Sequence, residues 1–211
     1  VVAPPAAPGR ARDIVACGRP LAGHRVEIVR PDGTSLAERR VGEIRVQGPS
    51  VSPGYFRNGD ATRDAWRDGW LHTGDLGYFK DGHLYVCGRL KDLIIVRGAN
   101  YFPQDIEWTV EALSELRGRS VAAFPVEADG AESFAVVAEC PIGSPERRAA
   151  LCAEIAEAVT RDHGIVPADV CVVPLGTLPL TTSGKVQRRR TRELHAEGAF
   201  RDSVPADPAT A

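Results

Sequence analysis

The sequence predicts an α+β fold in two parts: a β-rich segment over residues 1–89, then a small α+β domain over 90–198 and a polar tail over 199–211. Three observations lead there. Apolar residues alternate with polar ones, between tight turns, up to about Gly88. After Arg89, short β-branched runs alternate with apolar residues at helical spacing. The composition, 43% hydrophobic and 26% charged, can bury a core, which excludes global disorder and fibrous repeats.

Residues 1–13, rich in Ala, Pro and Gly, read as a linker or a cut edge. Val26 and Ile28 alternate with charged neighbours, Pro31-Asp32-Gly33 makes a turn, and Gly42 to Gln47 alternates again. Ala61 to Asp68 reads as one or two helical turns capped by Asp60 or Thr62. Asp81-Gly82 separates Gly77-Tyr78-Phe79 from Leu84-Tyr85-Val86, a hairpin signal because glycine accepts positive φ.

In the second part, Leu93 to Val96 is a short strand ended by Gly98. Pro103 opens a helix carrying Ile106, Val110 and Leu113. Val121 to Val126 and Ser133 to Ala138 read as strands. Ser144-Pro145-Glu146 caps a helix running to about His163 and stopped by Gly164. Val170 to Val173 is a further strand, Leu178 to Gly184 a loop, and Lys185 to about His195 a final helix. The order strand, helix, two strands, helix, strand, loop, helix describes a compact α+β unit.

Bulk properties exclude several functions. A formal net charge of −2, from 26 Lys and Arg against 28 Asp and Glu, gives no global field for nucleic acid or an anionic membrane. The run Arg188-Arg189-Arg190 reads as a solvated helix face. Five cysteines without a C-x-x-C pair, and five histidines without ligand spacing, give no metal pattern and fit thiols in a reducing cytoplasm. No stretch approaches the roughly 20 apolar residues that span a bilayer, and the start lacks the regions of a signal peptide. A first residue other than Met suggests a fragment.

Three places can carry chemistry. In Thr73-Gly74-Asp75-Leu76-Gly77, Asp75 suits either a turn or acceptance of both hydrogen bonds of a ribose diol, with glycines allowing close backbone approach. In Gly88-Arg89-Leu90-Lys91-Asp92, the Arg89 fork suits phosphate or ribose oxygens, or a surface ion pair with Asp92. In Leu178 to Val186, the Gly184-Lys185 pair fails the Walker pattern, since Val186 stands where Ser or Thr is required. A loop lysine is ordinarily solvated, yet a loop can also deliver Lys185 to a separate surface to stabilise transition-state charge.

Taken in order, these residues resemble the C-terminal half of the adenylate-forming superfamily of acyl-CoA synthetases, nonribosomal peptide adenylation domains and luciferases. The matching motifs are Gly42-Glu43-Ile44-Arg45-Val46-Gln47-Gly48 with Gly54-Tyr55, Trp70-Leu71-His72-Thr73-Gly74-Asp75-Leu76-Gly77, Gly88-Arg89-Leu90-Lys91-Asp92, and Leu178-Pro179 through Ser183-Gly184-Lys185. The wording of Gly48-Pro49-Ser50-Val51, of Gly88 to Gly98, and of Asn100-Tyr101-Phe102-Pro103-Gln104-Asp105-Ile106-Glu107 is closest to fatty-acyl-AMP ligases.

The resemblance implies that residues 1–89 are the β-rich end of a large AMP-binding domain and 90–198 its small mobile lid. It implies that Asp75 binds the ribose hydroxyls with help from Arg89, that Lys91 is the hinge, and that Lys185 bridges the substrate carboxylate and the α-phosphate. Gly98 and Asn100 are implied on the nucleotide or acceptor side. The implied reaction uses ATP and Mg²⁺ to turn a fatty acid into acyl-AMP, which a carrier-protein phosphopantetheine thiol then attacks, typically in polyketide assembly. Free CoA as acceptor, as in acyl-CoA synthetases, is the alternative; a non-catalytic carrier-docking fragment is another. The family's phosphate loop, its adenine and metal motif and its acyl pocket are expected upstream of Val1, so the chain alone is expected to be inactive.

Overall fold

The computed structural model describes residues 14–128, 130–141 and 143–200. The chain forms two compact units, dividing between Lys91 and Asp92. The expected linker over residues 1–13 and the tail from residue 201 onward lie outside the described residues.

The first unit is one antiparallel sheet. Its strands are β1 (Ala16–Gly18), β2 (Arg25–Val29), β3 (Gly42–Gln47), β4 (Trp66–Arg67), β5 (Trp70–Lys80) and β6 (His83–Arg89), in the order β1-β6-β5-β3-β2 with β4 beside β5. Asp81 and Gly82 both have positive φ and join the register pair Lys80 and His83, the tight hairpin their sequence predicts. Helix α1 (Gly59–Ala65) is capped by Asn58, whose side chain accepts from the Ala61 N–H at 3.1 Å. Asp60 and Thr62 are therefore not the cap: Asp60 lies inside the helix, and the Thr62 hydroxyl donates to the Asn58 carbonyl and accepts from the Tyr55 N–H. The short β1 was not expected from the sequence.

The first unit buries Ile28, Val29, Val41, Ile44, Trp70 and Leu76. Glu27 accepts from Arg45 Nη2 at 2.6 Å, and the Arg45 and Arg25 guanidinium carbons lie 4.6 and 4.9 Å from the Trp70 ring centre. A cation over an indole face keeps its charge while covering apolar surface.

The second unit has a three-stranded sheet of β9 (Val121–Ala128), β10 (Ala131–Glu139) and β11 (Asp169–Val173), with β10 in the middle. β9 pairs with β10 antiparallel and β11 pairs with it parallel, the crossover being helix α3 (Pro145–His163). β10 is covered on both faces, so Phe134-Ala135-Val136-Val137-Ala138 is a continuous apolar run. Phe134, Val136 and Ala138 face Ile106 and Val110 of α2 (Pro103–Glu111) and Leu151, Ile155 and Val159 of α3. Ala135 and Val137 belong to the opposite cluster with Phe124, Leu178 and Phe200, against which Leu194 of α4 (Arg188–Ala196) packs. Phe200, placed by the sequence in the tail, is thus part of a core.

Ser144 caps α3 by accepting from the Arg147 N–H, and Gly164 ends it in the left-handed conformation. Two further short strands, β7 (Ile94–Val96) and β8 (Ala99–Tyr101), form a hairpin, of which only the first strand is expected from the sequence. The expected helix start at Lys185 is corrected: α4 begins at Arg188, because residues 181–185 close a hydrogen-bonded turn instead. Among the described residues, no helix is long and apolar enough to cross a membrane.

The hydrogen bond from Arg45 holds the Glu27 carboxyl below its ordinary range, against a smaller opposing effect of burial. Because the folded state favours the ionised form, this stabilisation is complete above the unfolded-state pKa and drains away as pH falls through the folded one. Glu27→Gln is expected to flatten the acid limb of the stability-versus-pH curve, read from denaturant unfolding between neutral and acid pH. An unchanged acid limb rejects this role.

Candidate functional site

Asp75 sits on β5 where the ladder to β3 breaks. Glu43 pairs with Leu76 and Arg45 with His72, so a single residue of β3 faces the three residues Thr73, Gly74 and Asp75. Such a bulge re-aims side chains without ending the strand. Gly74 takes φ +71°, a left-handed conformation that costs a glycine little.

The bulge is pinned by side chains. The Thr73 hydroxyl donates to the Ile44 carbonyl at 2.7 Å and accepts from the Asp75 N–H at 3.0 Å. Glu43 accepts from the Gly74 N–H through one oxygen and bonds the His72 Nδ1 through the other, at 2.9 Å. Glu43, His72 and Thr73 are quoted in the sequence motifs, but their shared task is visible only in the register.

Asp75 and Arg89 are direct partners across β5 and β6, and Arg89 Nε donates to Asp75 Oδ1 at 3.1 Å. The sequence alternative of an Arg89 pair with Asp92 is not what forms; Asp92 lies instead 3.9 Å from Arg188. The Asp75 side chain keeps 35% of its exposure and Arg89 72%, and the terminal nitrogens of Arg89 make no hydrogen bond among the described residues. This donor set, one accessible carboxylate beside an open guanidinium fork, fits a ribose diol and an adjoining oxygen. Lys91 is exposed in a 3-10 turn, Leu90–Asp92.

Gly98, Asn100 and Lys185 belong to the second unit. Arg97 and Gly98, both at positive φ, form the two-residue turn between β7 and β8, and Asn100 is half-buried on β8. Lys185 is exposed at the end of a closed turn. Its N–H donates to the Thr181 hydroxyl at 3.0 Å and its carbonyl accepts from the Thr181 N–H at 2.8 Å. Leu180 and Val186 form an isolated antiparallel bridge, and the Gln187 side chain donates to the Leu180 carbonyl at 2.7 Å. The Lys185 ammonium makes no ion pair among the described residues.

Arg188, three residues on, corrects the reading of the basic run as uniformly solvated. Arg189 and Arg190 do lie on the surface, bonded to Glu193. Arg188 instead forms a bidentate pair with Glu107 of α2, at 2.6 Å from Nε to Oε1 and 2.5 Å from Nη2 to Oε2. Glu107 is 6% exposed and also accepts from the Ala123 N–H of β9 at 3.0 Å. Burial presses the guanidinium toward losing its proton, but the Glu107 bonds outweigh it and leave its proton affinity above the ordinary value. The foot of α4, and with it the Lys185 turn, is thereby tied to α2 and β9.

A family model described as Disco-interacting protein 2-like, AMP domain, matches residues 91–203. The medium-chain-fatty-acid–[acyl-carrier-protein] ligase JamA of Moorena producens is 37% identical, over 90% of this chain and 34% of its own length. A solved structure from work on the fatty acyl-adenylate ligases of E. coli and L. pneumophila aligns with a TM-score of 0.76 and 40% identity, covering 92% of this chain and 35% of that one. The McyG A-PCP structure complexed with phenylalanyl-adenylate aligns with a TM-score of 0.77 and 32% identity, over 89% and 34%. The chain spans about a third of the length of the curated relatives it matches.

Breaking the Glu107 pair leaves a buried charge uncompensated, which typically costs about 3–5 kcal/mol. Arg188→Ala is expected to destabilise the second unit on that scale in denaturant unfolding, whereas Arg189→Ala, exposed and weakly paired, changes it by less than about 1 kcal/mol. Equal effects of the two substitutions would contradict the structural assignment.

Proposed function

Because the chain belongs to the Disco-interacting protein 2-like AMP-domain family of adenylate-forming enzymes, we propose that it serves ATP-dependent activation of a fatty acid as acyl-AMP, with Lys185 as the catalytic cation. The observation that carries this reading is the Lys185 turn, braced by its own hydrogen bonds while the ammonium stays uncommitted. Two anions, a carboxylate and an α-phosphate, meet when acyl-AMP forms. A preorganised cation between them offsets their repulsion at little reorganisation cost.

Asp75 accepts from the ribose hydroxyls and Arg89 adds donors to the same sugar, a role supported by their exposed pair and by the open terminal nitrogens of Arg89. ATP supplies the adenylyl group and Mg²⁺ accompanies its phosphates; this chain's part is to hold the sugar and deliver the lysine. Lys91, the last residue of the first unit, is assigned as the pivot for the small domain, and Gly98 and Asn100 are assigned to the nucleotide or acceptor side.

The acceptor is the phosphopantetheine thiol of an acyl carrier protein, a reading supported by the likeness to JamA. Relatives described as fatty-acid–CoA ligases favour a second reading with free CoA. Incubating the complete protein with ATP, a fatty acid and either holo carrier protein or CoA separates them: efficient acyl-CoA formation rejects the carrier-protein reading.

Lys185→Ala is expected to lower pyrophosphate release by the complete protein about 100- to 1000-fold, the usual scale for one preorganised charge contact. Thermal unfolding of the variant should match the wild type, since the side chain makes no ion pair among the described residues. Release at the wild-type rate would remove Lys185 from the chemistry.

A further inference from the structure

The second unit carries a cavity of about 930 Å³ away from the Lys185 turn, lined by residues of β9, α3, β11 and α4. On its wall lie Asp169, Cys171 and His195, whose ligand atoms are all within 4.8 Å of one another. Asp169 and Cys171 are two apart on β11 and so share one face of the strand. His195 comes from α4, with its Nε2 2.8 Å from Asp169 Oδ2, and the Cys171 thiol donates to the same oxygen at 3.6 Å. The His195 ring is held edge-to-face against Phe124, 5.4 Å between centres.

We propose that Asp169, Cys171 and His195 form a Zn²⁺ site whose fourth position opens on this cavity. Carboxylate, thiolate and imidazole are zinc's ordinary ligand types, and three protein ligands with an open position is the pattern of a non-structural site. Around a tetrahedral zinc, such donors stand about 3.4–3.6 Å apart, given bond lengths of 2.0–2.3 Å. The sulfur to carboxylate distance already matches. The imidazole to carboxylate distance, now a hydrogen bond, has to open by about 0.6 Å on that geometry, within reach of a side-chain adjustment.

A second observation points to what fills the open position. Arg148 of α3 lines the same cavity, and its Nε and Nη1 are buried without a hydrogen-bond partner among the described residues. Buried guanidinium donors without partners are costly, and an anion resolves the cost. A carboxylate, a thiolate and a neutral imidazole cancel the dication, so no net positive centre opposes Arg148 across the cavity. A carboxylate-bearing ligand on the zinc then bonds Arg148. A simple Asp169–His195 pair would account for the 2.8 Å contact, but not for the thiol beside it or for the unpartnered guanidinium atoms.

The test uses Co²⁺ as a spectroscopic substitute for Zn²⁺ on the complete, metal-stripped protein. The wild type is expected to take up one equivalent with a thiolate-to-cobalt charge-transfer band, and to bind Zn²⁺ in competition with a chromophoric chelator. Cys171→Ser should lose the band and weaken Zn²⁺ binding about tenfold or more. His195→Gln, able to keep its hydrogen bond to Asp169, should weaken it likewise. Cys87→Ser should leave band and affinity intact, and thermal unfolding of each stripped variant establishes that it is folded. Absence of the band in the wild type overturns the proposal, as does a band that survives in folded Cys171→Ser.

Discussion

The second unit depends on a buried carboxylate. Glu107 lies inside α2, where a buried glutamate is unwelcome unless both carboxylate oxygens have donors, and it receives one from β9 and two from Arg188. Three separate pieces of chain meet on it: the helix that carries it, the sheet edge above α2 and the foot of α4. Apolar packing alone positions α4 loosely, because few of its residues are buried. The two-pronged pair fixes direction as well as distance, as planar guanidinium-carboxylate pairs do. The turn ahead of α4 inherits that precision, so a lysine on an exposed loop is held as if it belonged to the scaffold.

The first unit reaches the same end by a different device. In a regular antiparallel ladder Thr73, Gly74 and Asp75 would need three partners on β3, whereas only Ile44 stands there, so the ladder has a local break. Two extra residues in β5 supply the break, and Glu43 and Thr73 satisfy the backbone groups that the bulge leaves over. The strand therefore continues to Lys80, with one further register shift against β6 between Leu76 and Gly77, while Asp75 meets Arg89 across the ladder.

What could be read from the sequence was local. Asp81-Gly82 announces its hairpin because both residues tolerate positive φ, and Ser144-Pro145 with Gly164 brackets α3 because caps are made by neighbours in the chain. The run Ser133 to Ala138 reads as a strand, which the structure shows covered on both faces. The remainder depends on partners far apart in sequence. Nothing near Arg188 distinguishes it from Arg189 until Glu107 is opposite it. The sequence reads Lys185 as the start of the final helix, while the Thr181 hydroxyl accepts from the Lys185 N–H and diverts the backbone into a turn. Asp169 and Cys171 meet His195 only through the packing of α4 on β11's side of the unit, so ligand spacing along the chain could not have brought them to notice.

A contrast between two arginine-carboxylate pairs connects scaffold and site. Arg188 and Glu107 are desolvated, so separating them leaves charge in a low-dielectric place, and no ligand competes for them cheaply. Arg89 and Asp75 stand in solvent, bonded through one nitrogen, and an exposed pair of that kind is worth at most about 1 kcal/mol. In the proposed ribose-binding role, a hydroxyl would share Asp75 with Arg89, or displace it, at little cost, and the guanidinium would retain donors for the incoming oxygen. The same two side-chain types thus differ according to burial: one pair is strong because it is largely shielded from solvent, and the other would serve that proposed role because it is weak.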